Sequence, residues 1–382
     1  MSHTALSEID VFLRHGDHPL AVRRMMDLAL DSKQRELMLR AMQLSSRFRI
    51  ARNANPVNPW NEDLAQESRT LLHELSKATY PAAPGDSLLM QAHGVSKTYS
   101  SGAFSMKPTS LDLYAGQILG VVGENGNGKT TLLRCLAGQL AIDSGKISFA
   151  GLPDHDFYTL KNRVAFIPQR IPRWYGRLKD NLHFSAAISG VKGEENDLMV
   201  GFMLERFGLA GFAELTWNQI SSGYRTRFEI ARVLLQQPRV LILDEPLANL
   251  DIHAQQTLLS DLRFLVKSAV NRMTVLLTSQ QLHEVEKAAD SVMLIRQGQC
   301  IYQTGKTDVR SLGFALELET PATREEIAQA LTVLEAQVHF NGGFFTVVSH
   351  QHPVQEMIKQ LVIAGIPISY CRDISLSTKR LF

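Results

Sequence analysis

The stretch GENGNGKT, residues Gly123 to Thr130, follows an apolar run, ILGVV, and precedes a pattern that reads as a helix starting near Lys129. It fits G-x-x-x-x-G-K-[ST] in the strand, loop and helix setting that the pattern requires. Gly123, Gly126 and Gly128 let backbone N–H groups turn toward phosphates, and the positive end of the following helix adds to the attraction. With Glu124, Asn125, Asn127 and Thr131 they make the expected phosphate cradle. Lys129 is expected to reach the β- and γ-phosphates of a nucleoside triphosphate, and the Thr130 hydroxyl to ligate Mg²⁺. A glycine-rich turn without a ligand is the competing reading.

VLILDEP, residues 240–246, adds a second element, because Asp244 and Glu245 emerge at the end of an apolar strand, where α/β sheets place ligand groups. Alone, such an acid pair often caps a helix. Beside a phosphate loop it can divide the labour, with Asp244 holding Mg²⁺ through water and Glu245 polarising the attacking water.

Outward from these motifs the chain changes character. Residues 88–310 alternate strands and helices around apolar runs, which predicts a mostly parallel sheet. Residues 1–80 carry helical patterns, among them PLAVRRMMDLALD and QRELMLRAMQLSSRF, and predict a helical domain joined by the linker YPAAPGDS. Residues 312–382 read βαββαβ, with a turn at Asn341-Gly342-Gly343, which predicts a ferredoxin-like α+β domain.

Composition narrows the classes. The 382 residues carry 40 Lys and Arg against 38 Asp and Glu, a net charge of +2, too near neutral for a chain that holds nucleic acid by a basic surface. No nucleic-acid partner is expected. Cys135, Cys300 and Cys371 have no paired spacing and read as small core residues in a reducing compartment. The start lacks a signal-peptide pattern, and no run of about 18 apolar residues predicts a membrane span.

With the motifs in this order, residues 88–310 resemble the nucleotide-binding subunit of an ATP-binding cassette (ABC) transporter. The resemblance implies a P-loop NTPase of the ABC type, α/β with an antiparallel β subdomain and a helical subdomain, that binds and hydrolyses ATP with Mg²⁺. Gln169 in VAFIPQR matches the Q-loop, whose glutamine contacts Mg²⁺ and the attacking water in the family. Tyr99 in VSKTYS matches the aromatic that stacks on adenine, or else is a strand-edge aromatic. In ISSGYRTRFEIAR, Ser221 and Gly223 match the signature LSGGQ, whereas Ser222 and Tyr224 depart from it. A hydroxyl and a glycine at a helix start can still offer N–H groups to a γ-phosphate held by a second subunit. LANLD matches the D-loop, with Asp251 as its acid.

In TSQQLHEVE the family's histidine is replaced by Gln280. Gln280 either donates a neutral hydrogen bond to the γ-phosphate or caps the helix that follows, and His283 is expected on that helix's surface. The resemblance further implies a homodimer closing on two ATP, a permease partner, and a cytoplasmic location at the inner face of the cell membrane through that permease. LKDNLHFSAAISG resembles the permease-facing helical subdomain, with Trp174 and Tyr175 as groove or core residues. The C-terminal domain, ending ISLSTKRLF, resembles regulatory or dimerising domains of proteins that serve ABC-2-type permeases. Two other readings are a soluble ABC ATPase acting on ribosomes or DNA and an ATP-switched signalling scaffold.

Overall fold

The computed structural model describes residues 2–81, 87–99, 104–151, 163–248, 250–268, 272–305, 313–341 and 343–375. Most of the linker YPAAPGDS, the glycine Gly342 of the Asn-Gly-Gly turn and nearly all of the terminal ISLSTKRLF lie outside those residues.

The chain opens with helices α1 (Ser2–Arg14), α2 (His18–Ser32), α3 (Arg35–Ala54) and α4 (Glu62–Lys77). Short polar side chains start two of them: Asp17 accepts the Leu20 N–H at 3.3 Å and Asn61 accepts that of Leu64 at 2.9 Å. Such caps satisfy backbone donors that a helix start leaves free. Their apolar faces close on one core containing Ile9, Met25, Met26, Leu44 and Leu71. Phe202, from a later helix, is fully buried in that same core, so these helices pack against the rest of the chain.

Next come β1 (Leu88–Thr98), β2 (Ser105–Tyr114), β3 (Ile118–Val122), α5 (Lys129–Leu136), β4 (Ser144–Phe149) and β5 (Val164–Ile167). They are followed by α6 (Leu178–Ile188), α7 (Gly193–Arg206), α8 (Ser222–Leu234), β6 (Val240–Leu243), α9 (Ile252–Val266), β7 (Thr274–Ser279) and α10 (Leu282–Glu286). The hairpin β8 (Ser291–Arg296) and β9 (Gln299–Gly305) closes this region. β1, β2 and β4 form a 3-stranded antiparallel sheet, and the 6-stranded sheet runs β5-β6-β7-β3-β8-β9. Every pairing in the larger sheet is parallel except that of the edge strand β9. ILGVV, VLIL and TVLLTS are buried along their whole length, as strands covered on both faces must be. Gly120 in β3 is required by close approach: a Cβ there would lie 1.8 Å from Val285 Cγ1.

The sheet's register sets up the site. Ile167, Leu243 and Leu277 are cross-strand neighbours, and Val122 pairs with Ser279. The residues just past these positions leave the sheet at one edge, side by side.

Beyond Gly313 the chain runs β10 (Phe314–Glu319), α11 (Arg324–Ala330), β11 (Gln337–Asn341), β12 (Phe344–Ser349), α12 (Val354–Ile363) and β13 (Tyr370–Asp373). The 4-stranded antiparallel sheet has the order β11-β12-β10-β13, with Leu316, Val347, Ile327 and Met357 in its core.

The cysteines differ from the expectation of uniform burial. Cys135 is buried, and burial pushes its thiol up to about 11, whereas Cys300 is half-buried and Cys371, on the edge strand β13, is exposed. No helix among the described residues is long and apolar enough to cross a membrane.

Candidate functional site

The phosphate loop occupies the turn between β3 and α5. Gly128 precedes α5 with φ +100°, a conformation that L side chains rarely adopt, and a Cβ there would sit 2.5 Å from the Phe104 ring. The Lys129 ammonium donates to the carbonyl oxygens of Gly123 at 2.6 Å and Glu124 at 3.1 Å. It also lies 3.4 Å from Glu245 Oε1, with 5% of its side chain exposed. A nearly desolvated cation with these weak partners is poised for phosphate oxygens. Asn127 is partly committed elsewhere: its Oδ1 accepts the Gln297 N–H at 3.0 Å, and its carbonyl accepts that of Gly298. Tyr99 stands beside the loop, its hydroxyl 3.3 Å from that of Thr131.

Asp244 and Glu245 emerge from the end of β6. The Thr130 hydroxyl donates to Asp244 Oδ2 at 2.8 Å. A hydroxyl and a carboxylate so close supply hard oxygen donors of the kind Mg²⁺ takes alongside phosphate oxygens, so this pair fits the ion. Asp244 Oδ1 accepts the Thr278 hydroxyl at 2.9 Å, and that hydroxyl in turn accepts the Glu245 N–H at 2.7 Å. Thr278 is fully buried at the end of β7, so one side chain fixes both acids. Glu245 has φ +46°, a left-handed conformation for a residue with a side chain, which costs on the order of 1–3 kcal/mol. The surrounding bonds hold it there.

Two glutamines meet on that carboxylate. Gln169 Nε2 donates to Glu245 Oε2 at 2.7 Å and Gln280 Nε2 to the same oxygen at 3.0 Å. The capping alternative for Gln280 is not what the structure shows. The cap position of α10 is Gln281, without a side-chain bond, and Ser279 Oγ accepts the Gln281 N–H. Ser279 Oγ also donates to Glu284 at 2.6 Å, and Gln255 joins Glu284 to the Leu247 carbonyl at 3.3 Å each. The end of β7 is thereby tied to the segment leading into Asp251.

The structure thus brings together the loop, Tyr99, Gln169, Asp244, Glu245 and Gln280. It places Ser221, Ser222, Gly223 and Asp251 elsewhere, on a separate groove at the start of α8. Ser221 precedes α8 without a side-chain cap bond, and Asp251 accepts the Ala254 N–H at 2.8 Å to start α9. Asn249 lies outside the described residues. Thr278 is the site residue that sequence reasoning missed. Its only signal was a hydroxyl at the end of an otherwise apolar strand.

A family model described as ABC transporter matches residues 106–248. The ABC transporter ATP-binding protein NatA of Bacillus subtilis is 30% identical over 52% of this chain and 81% of its own length. The linearmycin resistance ATP-binding protein LnrL of Bacillus subtilis is 30% identical over 58% of this chain and 71% of its own. The phosphonates import ATP-binding protein PhnC of Treponema denticola is 27% identical over 56% and 89%. Among solved structures, cbiO1 from Clostridium perfringens, part of the ABC transporter complex cbiONQ, covers 65% of this chain and 96% of that one. At TM-score 0.52 and 24% identity, it shares the fold. The chain belongs to the ABC transporter family, as one of its ATP-binding, ATP-hydrolysing members.

Proposed function

We propose that the protein closes as a homodimer on two ATP and Mg²⁺ to drive an ABC-2-type membrane permease, working peripherally at the inner face of the cell membrane. The observation that carries this reading is the convergence on Glu245. Three strand ends and the phosphate loop bring Lys129, Gln169 and Gln280 to one carboxylate, and Thr130 to the adjacent acid.

In this reading Lys129 and the loop N–H groups bind the β- and γ-phosphates, and Tyr99 packs on the adenine. Thr130, Asp244 and Gln169 hold Mg²⁺, which when bound neutralises charge on the phosphate oxygens. Glu245 accepts the proton of the attacking water, while Gln169 and Gln280 fix its Oε2 and so orient the carboxylate. Ser221, Ser222, Gly223 and Asp251 act on the nucleotide of the second copy.

The helical segment supports a membrane partner. Tyr175, Phe184 and Ile188 are 77%, 62% and 67% exposed at α6 and the turn before it, an apolar surface next to the Gln169 loop. Trp174, by contrast, packs edge-on against Phe228, as core. We assign residues 1–80 to an added helical domain, 88–310 to the ATPase, and 312–382 to a ferredoxin-like domain that regulates or dimerises. The ABC-2 assignment rests on that last domain, because import and resistance proteins are both among the relatives.

The test is purification of tagged Glu245→Gln protein from detergent-solubilised cells with Mg-ATP, followed by mass spectrometry of what accompanies it. A stoichiometric multi-span membrane protein is expected; ribosomal proteins or soluble partners alone would sink the reading.

A further inference from the structure

Gln169 lies in a stretch with little of its own to hold it. Residues 168–176, between β5 and α6, form no helix or strand. Among the described residues, none of the backbone N–H groups of residues 169–176 donates to a backbone carbonyl. Arg170, Arg173 and Tyr175 are exposed and add little packing. A side chain at the start of such a stretch is placed only as well as the stretch itself, because every unfixed residue keeps its conformational entropy. Yet the Gln169 amide stands 2.7 Å from Glu245 Oε2, so something must hold the segment.

The anchor is Trp174. Its indole Nε1 donates to Glu229 Oε1, and Arg232 Nε and Nη2 donate to Glu229 Oε2 at 3.0 and 2.9 Å. The same guanidinium lies over the indole face, 4.8 Å from its centroid, and Phe228 meets the ring edge-on at 6.4 Å. All three partners belong to α8, which Ile230 and Ala231, both fully buried, fix in the core. The Glu229 side chain is 4% exposed. A buried carboxylate needs its oxygens bonded and a buried indole N–H needs an acceptor, so Glu229 and Trp174 each meet the other's requirement. Packing alone gives no reason for a carboxylate at this position; holding the indole does. Beyond Trp174, Asn181 Nδ2 donates to the carbonyls of Tyr175 and Arg177 at 2.8 Å each, which ties the far end of the segment to α6.

We infer that Trp174 and Glu229 are positioning residues for ATP hydrolysis: by fixing the segment after β5 to α8, they hold the Gln169 amide against the Glu245 carboxylate. The inference rests on the roles proposed above for Gln169 and Glu245. Neither Trp174 nor Glu229 bonds to the phosphate loop, so loss of the tie slows turnover and leaves ATP binding in place.

The experiment measures kcat and KM for ATP by phosphate release from the full chain, after thermal melting shows each variant folded at the assay temperature. Trp174→Phe and Glu229→Met break the tie from opposite sides, so either one that folds carries the test. Each should lower kcat about 3- to 12-fold with KM within about twofold. Glu229→Gln keeps an acceptor for the indole and should lose less than Glu229→Met. The deciding comparison repeats the changes in a Gln169→Ala background, where they should have no further effect because the glutamine they position is gone. An equal loss in both backgrounds, a fall in melting temperature with kcat unchanged, or parental turnover in Gln169→Ala itself overturns the inference. Glu245→Gln is run beside them: if it keeps parental turnover, the role proposed for Glu245 fails, while the coupling between Trp174 and Gln169 is still decided by its own comparison.

Discussion

Gln280 Nε2 lies 3.0 Å from Glu245 Oε2, so the glutamine just past the end of β7 bonds the carboxylate beside the phosphate loop. A hydrogen bond to a carboxylate contributes about 1.5–3 kcal/mol. Gln280→Ala should therefore lower ATP turnover by up to about 12- to 150-fold. Gln280→His should leave it similar or raise it up to about fivefold, because an imidazole N–H can donate to the same carboxylate and adds positive charge when protonated. Steady-state phosphate release measures both, and a sharp fall in Gln280→His would contradict the orienting role.

Glu245→Gln removes the carboxylate that we propose takes the proton while preserving its shape, at the loss of the Lys129 ion pair at 3.4 Å. Turnover should fall about 10²- to 10⁴-fold, with ATP affinity unchanged within a few-fold. Retained turnover would move the base elsewhere.

Thr278→Val keeps the volume of a fully buried side chain but removes the hydroxyl that joins the Glu245 N–H to Asp244. Leaving these groups unpaired costs about 1–3 kcal/mol, which as a barrier is about 5- to 150-fold in rate. Thr278→Ser should recover most of it. A valine variant within twofold of the parent would show that Asp244 and Glu245 hold their places unaided.

Arg206 is 2% exposed and donates to Asp27 at 2.7 Å and to Asp261 at 2.8 Å. Arg206→Met leaves two buried carboxylates with only the more distant Arg24 at 3.9 Å and Arg23 at 3.7 Å, a loss of up to about 3–5 kcal/mol. Urea unfolding should show it as a lower midpoint, and a loss under about 1 kcal/mol would mean water reaches both acids.

His18 stacks on Trp60 with ring centroids 4.1 Å apart. Burial holds its imidazole below the usual 6.5, with Asp17 opposing in part. The unfolded chain then binds the proton more readily, so stability is full above about pH 6.5 and declines as pH falls toward the lowered folded value. Glu8 acts in the same sense further down. Burial raises its carboxyl, but the bonds and charges of Lys267 and Arg24 outweigh that and hold it below 4.5. Thermal melting from pH 7.5 to 5 should show the decline, and His18→Phe should flatten it; an unchanged slope would clear His18.

The phosphate loop and the acid pair were legible because their chemistry demands particular residues in one short stretch. Gln169, Glu245 and Gln280 were each marked, but their meeting on a single oxygen needed the register that sets Ile167, Leu243 and Leu277 abreast. Thr278 was hidden because a single hydroxyl does not disturb an apolar strand pattern. The hairpin β8–β9 escaped for lack of a strong turn signal, its bend being Gln297-Gly298 rather than Asn-Gly. The exposure of Cys371 could not be read either, since only sheet order shows that its strand lies at an edge.

Arg206 on α7 holds an aspartate of α2 with one side of its guanidinium and an aspartate of α9 with the other. A dry cation shared this way has no stable half-open arrangement, because releasing either anion strands charge away from water. The three helices therefore travel together. A displacement of α7 would then load α2 and α9 together, so the N-terminal helices are tied mechanically to the ATPase region and are not a passive cover.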